Sequence, residues 1–315
     1  MPPYSLNSDK MMTITKDFSV IVPVWRGAVK YLPKLIYSIP ETDSIEIIVI
    51  DNSKEPVLRE EIECSRDFVF LHSAPNRHAG GSRNDGIAAA KGKWLLFADA
   101  DDYFTEDAFD VFYSHFNSNA ELIYTKPEGR YEDTGEHSDR GDFYASLVHG
   151  YCEGYVNEED MRLNFGTPWC KMISHELVRR EKLSFDEIRA CNDIYFSLTC
   201  GYYANSIEAD DRVTYIVTVN HGSLTQHRDY EVMKARLIGK MHCNRFLKDH
   251  GLGKRQRSIM FAFSEARHFG IGPFFEMLGM IIKARQNPFV GISHWRGTAK
   301  ASIRRDERHS QYLVK

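Results

Sequence analysis

The sequence is short of several things, and each absence removes a class of protein. No apolar run reaches the roughly 20 residues that a membrane-spanning helix needs. The most apolar mixed stretch, Phe274 to Ile282, is broken by Glu276 and Gly279. The first residues lack the basic, apolar and small-residue succession of a secretory signal, so a cytoplasmic chain is expected. Cysteine is sparse: Cys64, Cys152, Cys170, Cys191, Cys200 and Cys243 form no C-x-x-C pair and have no His at zinc-finger spacing. They are expected as free thiols, small buried hydrophobes in a reducing compartment. Neither sign of charge dominates: 40 Lys and Arg stand against 44 Asp and Glu, a net −4, which makes no case for a nucleic-acid partner. There is no internal repeat and no low-complexity tract. A Walker loop is missing, and no dinucleotide fingerprint follows the first predicted strand.

What is present suits one extended α/β domain with a helical appendage. The chain has 315 residues, 43% of them hydrophobic, enough for a sizeable core. Short β-branched runs predict buried strands at Phe18–Val24, Ile45–Ile50, Phe68–Leu71, Trp94–Ala98 and Leu122–Tyr124. Helical patterns fall between them: Val29–Ile39, an Ala-rich segment from Gly86 to Lys91 closed by Gly92, and Glu106–Phe116 capped by Thr105. This alternation predicts a mostly parallel, doubly wound sheet. Its ligand edge lies at the carboxyl ends of the strands, where Asp51, Asp99 and Asp101 fall. Lys126 to Asn164 is polar and aperiodic, expected as a binding loop or lid with some short structure. Thr167–Leu183 reads as helical and Val213–Val219 as a strand. From Asp229 the chain reads as helices, with Met233, Leu237 and Met241 on one face and Phe274, Leu278, Ile281 and Ile282 on another.

Three segments carry chemistry. Asp99-Ala100-Asp101-Asp102 crowds carboxylates at a strand end, which a cation would relieve. Oxygen donors of this kind suit Mn2+ or Mg2+, which commonly also hold substrate phosphates. The bland alternative is an acidic turn with Asp102 as a helix cap. Asn76 to Gly86 reads as a glycine-rich loop carrying Arg77 and Arg83 into a helix, suited to phosphate. An ordinary surface loop is its alternative. Asp193, before the aromatic pair Tyr195 and Phe196, is by itself read more readily as a helix cap than as a site residue.

Together these segments resemble the family 2 glycosyltransferases of the GT-A fold, of the bacterial surface-polysaccharide type. The resemblance rests on Val20-Ile-Val-Pro-Val24, Ile47-Ile-Val-Ile-Asp51, Asn76 to Gly92 and Phe97 to Asp102, in that order. It implies that Pro23 and Val24 line a nucleotide pocket and that Asp51 bonds the base. Arg83 would lie near the base or diphosphate. Asp99, Ala100 and Asp101 would form a D-x-D donor and metal motif. Gly166-Thr-Pro-Trp-Cys-Lys171 resembles a G-x-x-W-x-K segment, which implies acceptor contacts from Trp169 and Lys171, with Asn192 as a third. Asp193 resembles the general base of an inverting single displacement. His221 to Thr225 resembles the segment after the late strand in such enzymes. Asn52, His78 and Asn192 depart from the usual residues at their positions, and the Q-x-x-R-W motif of processive polymerases is absent.

The resulting division is a leader at 1–16, a nucleotide-sugar-binding half at 17–125, an acceptor-binding half at 126–228 and a helical region at 229–315. The implied reaction moves one sugar from a nucleotide-diphosphate sugar, a UDP-sugar first, to a glycan or lipid-linked glycan hydroxyl. A catalytically degenerate sugar-nucleotide-binding or assembly protein is the alternative, and a nucleotidyltransferase ranks last because only Trp25-Arg-Gly27 follows the first strand. The C-terminus is basic, with Arg285, Arg296, Lys300, Arg304, Arg305 and Arg308. It suits peripheral contact with the inner face of a membrane; a helical cap or a homo-oligomer interface is the other reading.

Overall fold

The computed structural model describes residues 14–219, 229–260 and 265–290. Most of the expected leader, the His221–Thr225 segment and the basic residues from Arg296 onward lie outside the described residues.

Four parallel strands make the first half of a single sheet: β1 (Lys16–Val24), β2 (Ile45–Asp51), β3 (Val69–His72) and β4 (Gly92–Phe97). β1 is apolar throughout its second half because it is central, with β2 on one side and β4 on the other. The remaining strands are β5 (Tyr103–Phe104), β6 (Leu122–Tyr131), β7 (His137–Ser138), β8 (Lys171–Ser174) and β9 (Ile207–Val219). The sheet order is β3-β2-β1-β4-β8-β6-β9-β5, with β7 paired to β6. β8 runs antiparallel to both β4 and β6, β6 and β9 are parallel, and β5 is antiparallel to β9. A parallel half thus adjoins a mixed half. The order reverses between β1 and β4, and the crevice beyond the carboxyl ends of those two strands is where such sheets bind ligands.

Helices α1 (Leu32–Tyr37), α2 (His78–Ala89), α3 (Ala108–Ser114), α4 (Asp142–Cys152), α5 (Glu158–Asn164), α6 (His175–Arg180) and α7 (Ile194–Tyr203) share one apolar core with the sheet. Further along the chain lie α8 (Tyr230–Asp249) and α9 (Ile271–Lys283). Leu198 of α7 packs with Cys243, Phe246 and Leu247 of α8, seating α8 on the α/β body. A separate cluster of Met233, Leu237, Met241, Met277 and Ile281 joins α8 to α9.

Several local expectations are corrected. The glycine-rich segment is the first half of α2, not a loop, and α2 begins at His78 rather than Gly86. Each interior glycine costs a helix about 1 kcal/mol relative to alanine. Here close packing overrides that cost, since Gly80, Gly81 and Gly86 are all buried. Gly92 caps no helix. It opens β4, where a Cβ would fall 2.4 Å from the Ser19 nitrogen. Thr105 gives its hydroxyl to the Val213 carbonyl at 2.9 Å instead of capping α3. Lys126–Asn164 is the end of β6, β7, α4 and α5. Thr167–Leu183 contains β8 before α6, because a four-residue apolar run carries too little periodicity to separate strand from helix. On α9 the buried positions are Met277 and Ile281, whereas Ile282 is 67% exposed. All six cysteines are free and four are buried, but Cys152 is exposed.

Candidate active site

The chain leaves β4 at the switch point and turns at once. The Asp102 amide donates to the Asp99 carbonyl at 3.0 Å, and the Asp99 amide donates to the Tyr215 hydroxyl at 2.8 Å. Asp99 and Asp101 are partly exposed, while Ala100 and Asp102 between and beyond them are buried. Asp102 is no helix cap. Its Oδ1 accepts the Thr218 amide at 2.7 Å and its Oδ2 is buried without a hydrogen-bond partner. Burial, then the charges of Asp101 and Asp99, push its pKa well above the usual carboxylate range.

Among the described residues no group of three or more His, Cys, Asp or Glu is placed to hold an ion. Two carboxylates on one turn still fit magnesium or manganese, which take their remaining ligands from phosphate and water. Asp99 and Asp101 are the residues that could do so.

Arg83, projecting from α2, ties this turn to a second segment. One Nη donates to Asp99 Oδ1 at 2.6 Å and the other to Asn192 Oδ1 at 2.9 Å. The guanidinium is 5% exposed, and its Nε has no partner. Asp193, the next residue, stands at the N-cap of α7, yet its carboxylate makes no capping bond. Its pKa is raised, by burial first. The Arg83 charge opposes that rise and the Asp99 charge adds to it. A partly desolvated carboxylate that is not used as a cap can act as a base. The structure therefore brings Arg83, Asp99, Asn192 and Asp193 together.

Pro23 and Val24 lie at the buried end of β1, beside Ile50 and Asp51 of β2. Asp51 is 1% exposed, and its carboxylate is occupied within its own turn. It accepts from the Ser53 amide at 3.0 Å, the Ser53 hydroxyl at 2.5 Å and the Val57 amide at 2.8 Å, and meets His72 Nδ1 at 3.2 Å. Asp51 shapes the loop at the strand end rather than presenting an open carboxylate.

The two aromatic and basic acceptor candidates sit deeper than expected. Trp169 is 6% exposed and stacks on Tyr215 with centroids 5.9 Å apart, below the Asp99 turn. Lys171 is 1% exposed, and its ammonium donates to the Phe165 carbonyl at 2.8 Å. Burial lowers its pKa to about 7. The expectation that Lys171 touches an acceptor is corrected: its strand, β8, is inserted between β4 and β6, which encloses the side chain. Both residues form the floor of the site.

Sequence reasoning missed Tyr215, whose hydroxyl fixes the Asp99 amide, and Asn84. Asn84 pairs with the Phe185 backbone in both directions, at 2.8 and 3.0 Å. Tyr215 belongs to no motif, whereas Asn84 lies within the Asn76–Gly92 segment but was given no role of its own. The position of Asn84 next to Arg83 in that segment was its available signal.

The sequence profile described as Glycosyl transferase family 2 matches residues 19–181. A putative glycosyltransferase, EpsH of Bacillus subtilis, is 24% identical over 62% of this chain and 58% of its own length. The poly(ribitol-phosphate) β-N-acetylglucosaminyltransferase TarS of Staphylococcus aureus is 23% identical over 69% of this chain and 39% of its own. The chain thus spans less than two thirds of these relatives. The crystal structure of S. aureus TarS 1-349 in complex with UDP-GlcNAc superposes with a TM-score of 0.58 at 21% identity, covering 85% of this chain and 81% of that one. At that identity the likeness is one of fold.

Proposed function

Because the chain belongs to glycosyl transferase family 2, we propose that it is an inverting, non-processive glycosyltransferase moving one sugar from a UDP-sugar to a hydroxyl of a glycan or lipid-linked glycan. The observation that carries this reading is Arg83, bridging Asp99 at the end of β4 and Asn192 beside Asp193. One buried cation thereby sets a phosphate-side group and a base candidate in one crevice.

In this reading Pro23, Val24 and the Asp51 turn wall the nucleotide side. Asp99 and Asp101 would hold Mn2+ or Mg2+, which would offset charge on the donor's diphosphate. Asp193 accepts the proton of the acceptor hydroxyl as its oxygen attacks the anomeric carbon from the face opposite the leaving UDP. Trp169 and Lys171 keep the turn and the floor rigid. The UDP-sugar class is favoured by the likeness to TarS, whose residues 1-349 were crystallised in complex with UDP-GlcNAc. The test is calorimetry with UDP-, GDP- and dTDP-sugars, with manganese and then with chelator. Binding of one UDP-sugar that chelator abolishes is the expected result. No binding to any of them by folded protein would favour the assembly-protein reading.

An exposed stripe on α9 supports a membrane setting for the acceptor. Ile271, Phe275 and Ile282 are all more than 60% exposed and, with Leu278, share one stripe of the helix. From Lys283 to Lys315 the sequence has eight Lys or Arg against two acidic residues. An apolar stripe next to a basic segment fits an anionic lipid surface. We include that contact in the proposal. Sedimentation with vesicles containing phosphatidylglycerol, but not with phosphatidylcholine alone, is expected, and Phe275→Ser should weaken it. Concentration-dependent dimerisation without vesicle binding would replace the lipid with a second copy. No described helix is long and apolar enough to cross a membrane.

A further inference from the structure

The segment from Ser184 to Asp193 ends in the base candidate but belongs to no strand or helix. α2 and the turn just before it hold one of its sides. Asn84 pairs with Phe185, Arg77 reaches Glu187 at 2.6 Å, and Arg83 reaches Asn192. α8, from the helical region beyond the α/β body, holds the other. His242 Nδ1 hydrogen-bonds Asp186 Oδ1 at 2.9 Å, and its ring lies flat on Tyr195, two residues past Asp193, with centroids 3.5 Å apart. Asp186 in turn gives its amide to the Asn192 carbonyl at 3.1 Å, closing the loop just before Asp193. One turn earlier on α8, Gly239 faces Cys191, where a Cβ would fall 3.0 Å from the Cys191 carbonyl oxygen. Asp229 caps α8 through the Val232 amide and pairs with Arg189 at 2.9 Å. The loop is therefore clasped between two helices, and α8 supplies half of the clasp.

We propose that α8 is part of the catalytic unit, with His242 as a positioning residue that fixes Asp193 through Asp186 and the Asn192 carbonyl. This deepens the reading of Asp193 as base and rests on it. The clasp accounts for Gly239 in the middle of a 20-residue helix, where glycine is otherwise the poorest choice short of proline. It also gives a partner to the half-buried Asp186 side chain, whose Oδ1 meets His242. A displacement of about 1 Å in a reacting group can cost up to roughly 100-fold in rate.

The variants separate the forces. His242→Phe keeps the stack on Tyr195 and loses the bond to Asp186. His242→Asn restores a donor near the Nδ1 position. Gly239→Ala adds helix propensity while crowding Cys191. Each is measured in the full chain by three readouts: binding of a UDP-sugar panel, UDP release, and amide hydrogen exchange of the 184–193 peptide. His242→Phe is expected to speed exchange in that peptide and to lower kcat roughly 10-fold or more, with donor affinity unchanged and partial rescue by His242→Asn. Gly239→Ala should lower kcat without lowering the unfolding midpoint, a combination that a merely structural role does not produce. Unchanged exchange in His242→Phe overturns the clasp. Faster exchange with wild-type kcat overturns the positioning role. If Asp193→Asn alone keeps full turnover, the base assignment fails instead, and the exchange data still decide the clasp.

Discussion

The two halves of the sheet deliver their residues to the site in different ways. In the parallel half, Val24, Asp51 and Asp99 arrive at strand ends, and backbone register places them: Val24 lies opposite Asp51, and Ile21 lies opposite Phe97, two residues before Asp99. In the mixed half no strand leads to Asp193. Side-chain bonds from Asn84, Arg77 and Arg83 hold its loop instead. Register is set by the whole sheet and tolerates surface change. A loop held by a few side chains can lose its geometry through one substitution while the fold stands. Substitutions in the first half should therefore act on donor binding and stability together, whereas those on the Asp193 loop should act on turnover alone.

Asp193→Asn tests that division with the largest expected effect. Turnover should fall by roughly 10²- to 10⁴-fold, while calorimetry gives a donor affinity within about threefold, under 1 kcal/mol. The fold should not weaken. Burial raises the Asp193 pKa in the folded chain, so the charged form costs stability above that pKa, and the amide removes this cost. For the same reason the acid limb of the wild-type pH profile should lie above the ordinary aspartate value. A variant that transfers sugar at the normal rate would sink the base assignment.

The same contrast explains what the sequence made legible. β1, β2 and β4 are continuous β-branched or apolar runs followed by polar turns, so their identity and the ligand edge could be read locally. β8 could not. Lys171-Met-Ile-Ser174 is four residues long, and its place between β4 and β6 depends on partners about 50 and 80 residues away. α2 was misread over His78–Gly86 because its glycines serve contact with other elements, which local propensity cannot register. Arg83, Asp99 and Asp193 were each named from motifs, yet only the folded chain shows that Arg83 joins the other two segments. Lys171 and Trp169 were assigned to an acceptor because the motif contains them, although burial makes them supports.

Trp169→Ala sharpens the second half's role as floor. Removing a 6% exposed indole that stacks on Tyr215 should cost about 3–5 kcal/mol in denaturant unfolding. A loss below about 1 kcal/mol, with a raised acceptor KM, would return Trp169 to the acceptor surface. Gly86→Ala probes the first half. A Cβ there would fall 2.4 Å from Ile21 Cγ2 and 3.0 Å from Ile50 Cδ1. The expected loss is about 1–3 kcal/mol. Gly279→Ala on α9, where nothing lies within 4 Å, should instead gain up to about 1 kcal/mol. Equal effects at the two glycines would show that close packing does not select Gly86.

The smallest effect is a slope in pH, and Lys171 should produce it. Its folded pKa of about 7 lies below the ordinary lysine value of 10.5. Between those values the unfolded chain binds a proton that the folded chain does not, so stability rises with pH, by at most about 1.4 kcal/mol per unit. The buried thiols Cys170, Cys200 and Cys243 set the upper end of the window. Burial raises their pKa, so above about 8.5 the unfolded chain loses protons that the folded chain keeps, and their contribution falls. Urea unfolding at intervals from pH 7 to 8.5 should show the rise in the wild type and a flatter profile in Lys171→Met. Identical slopes would mean that the folded chain carries Lys171 charged across this range, with enough hydration to make the enclosed floor of the mixed half wetter than its 1% exposure implies.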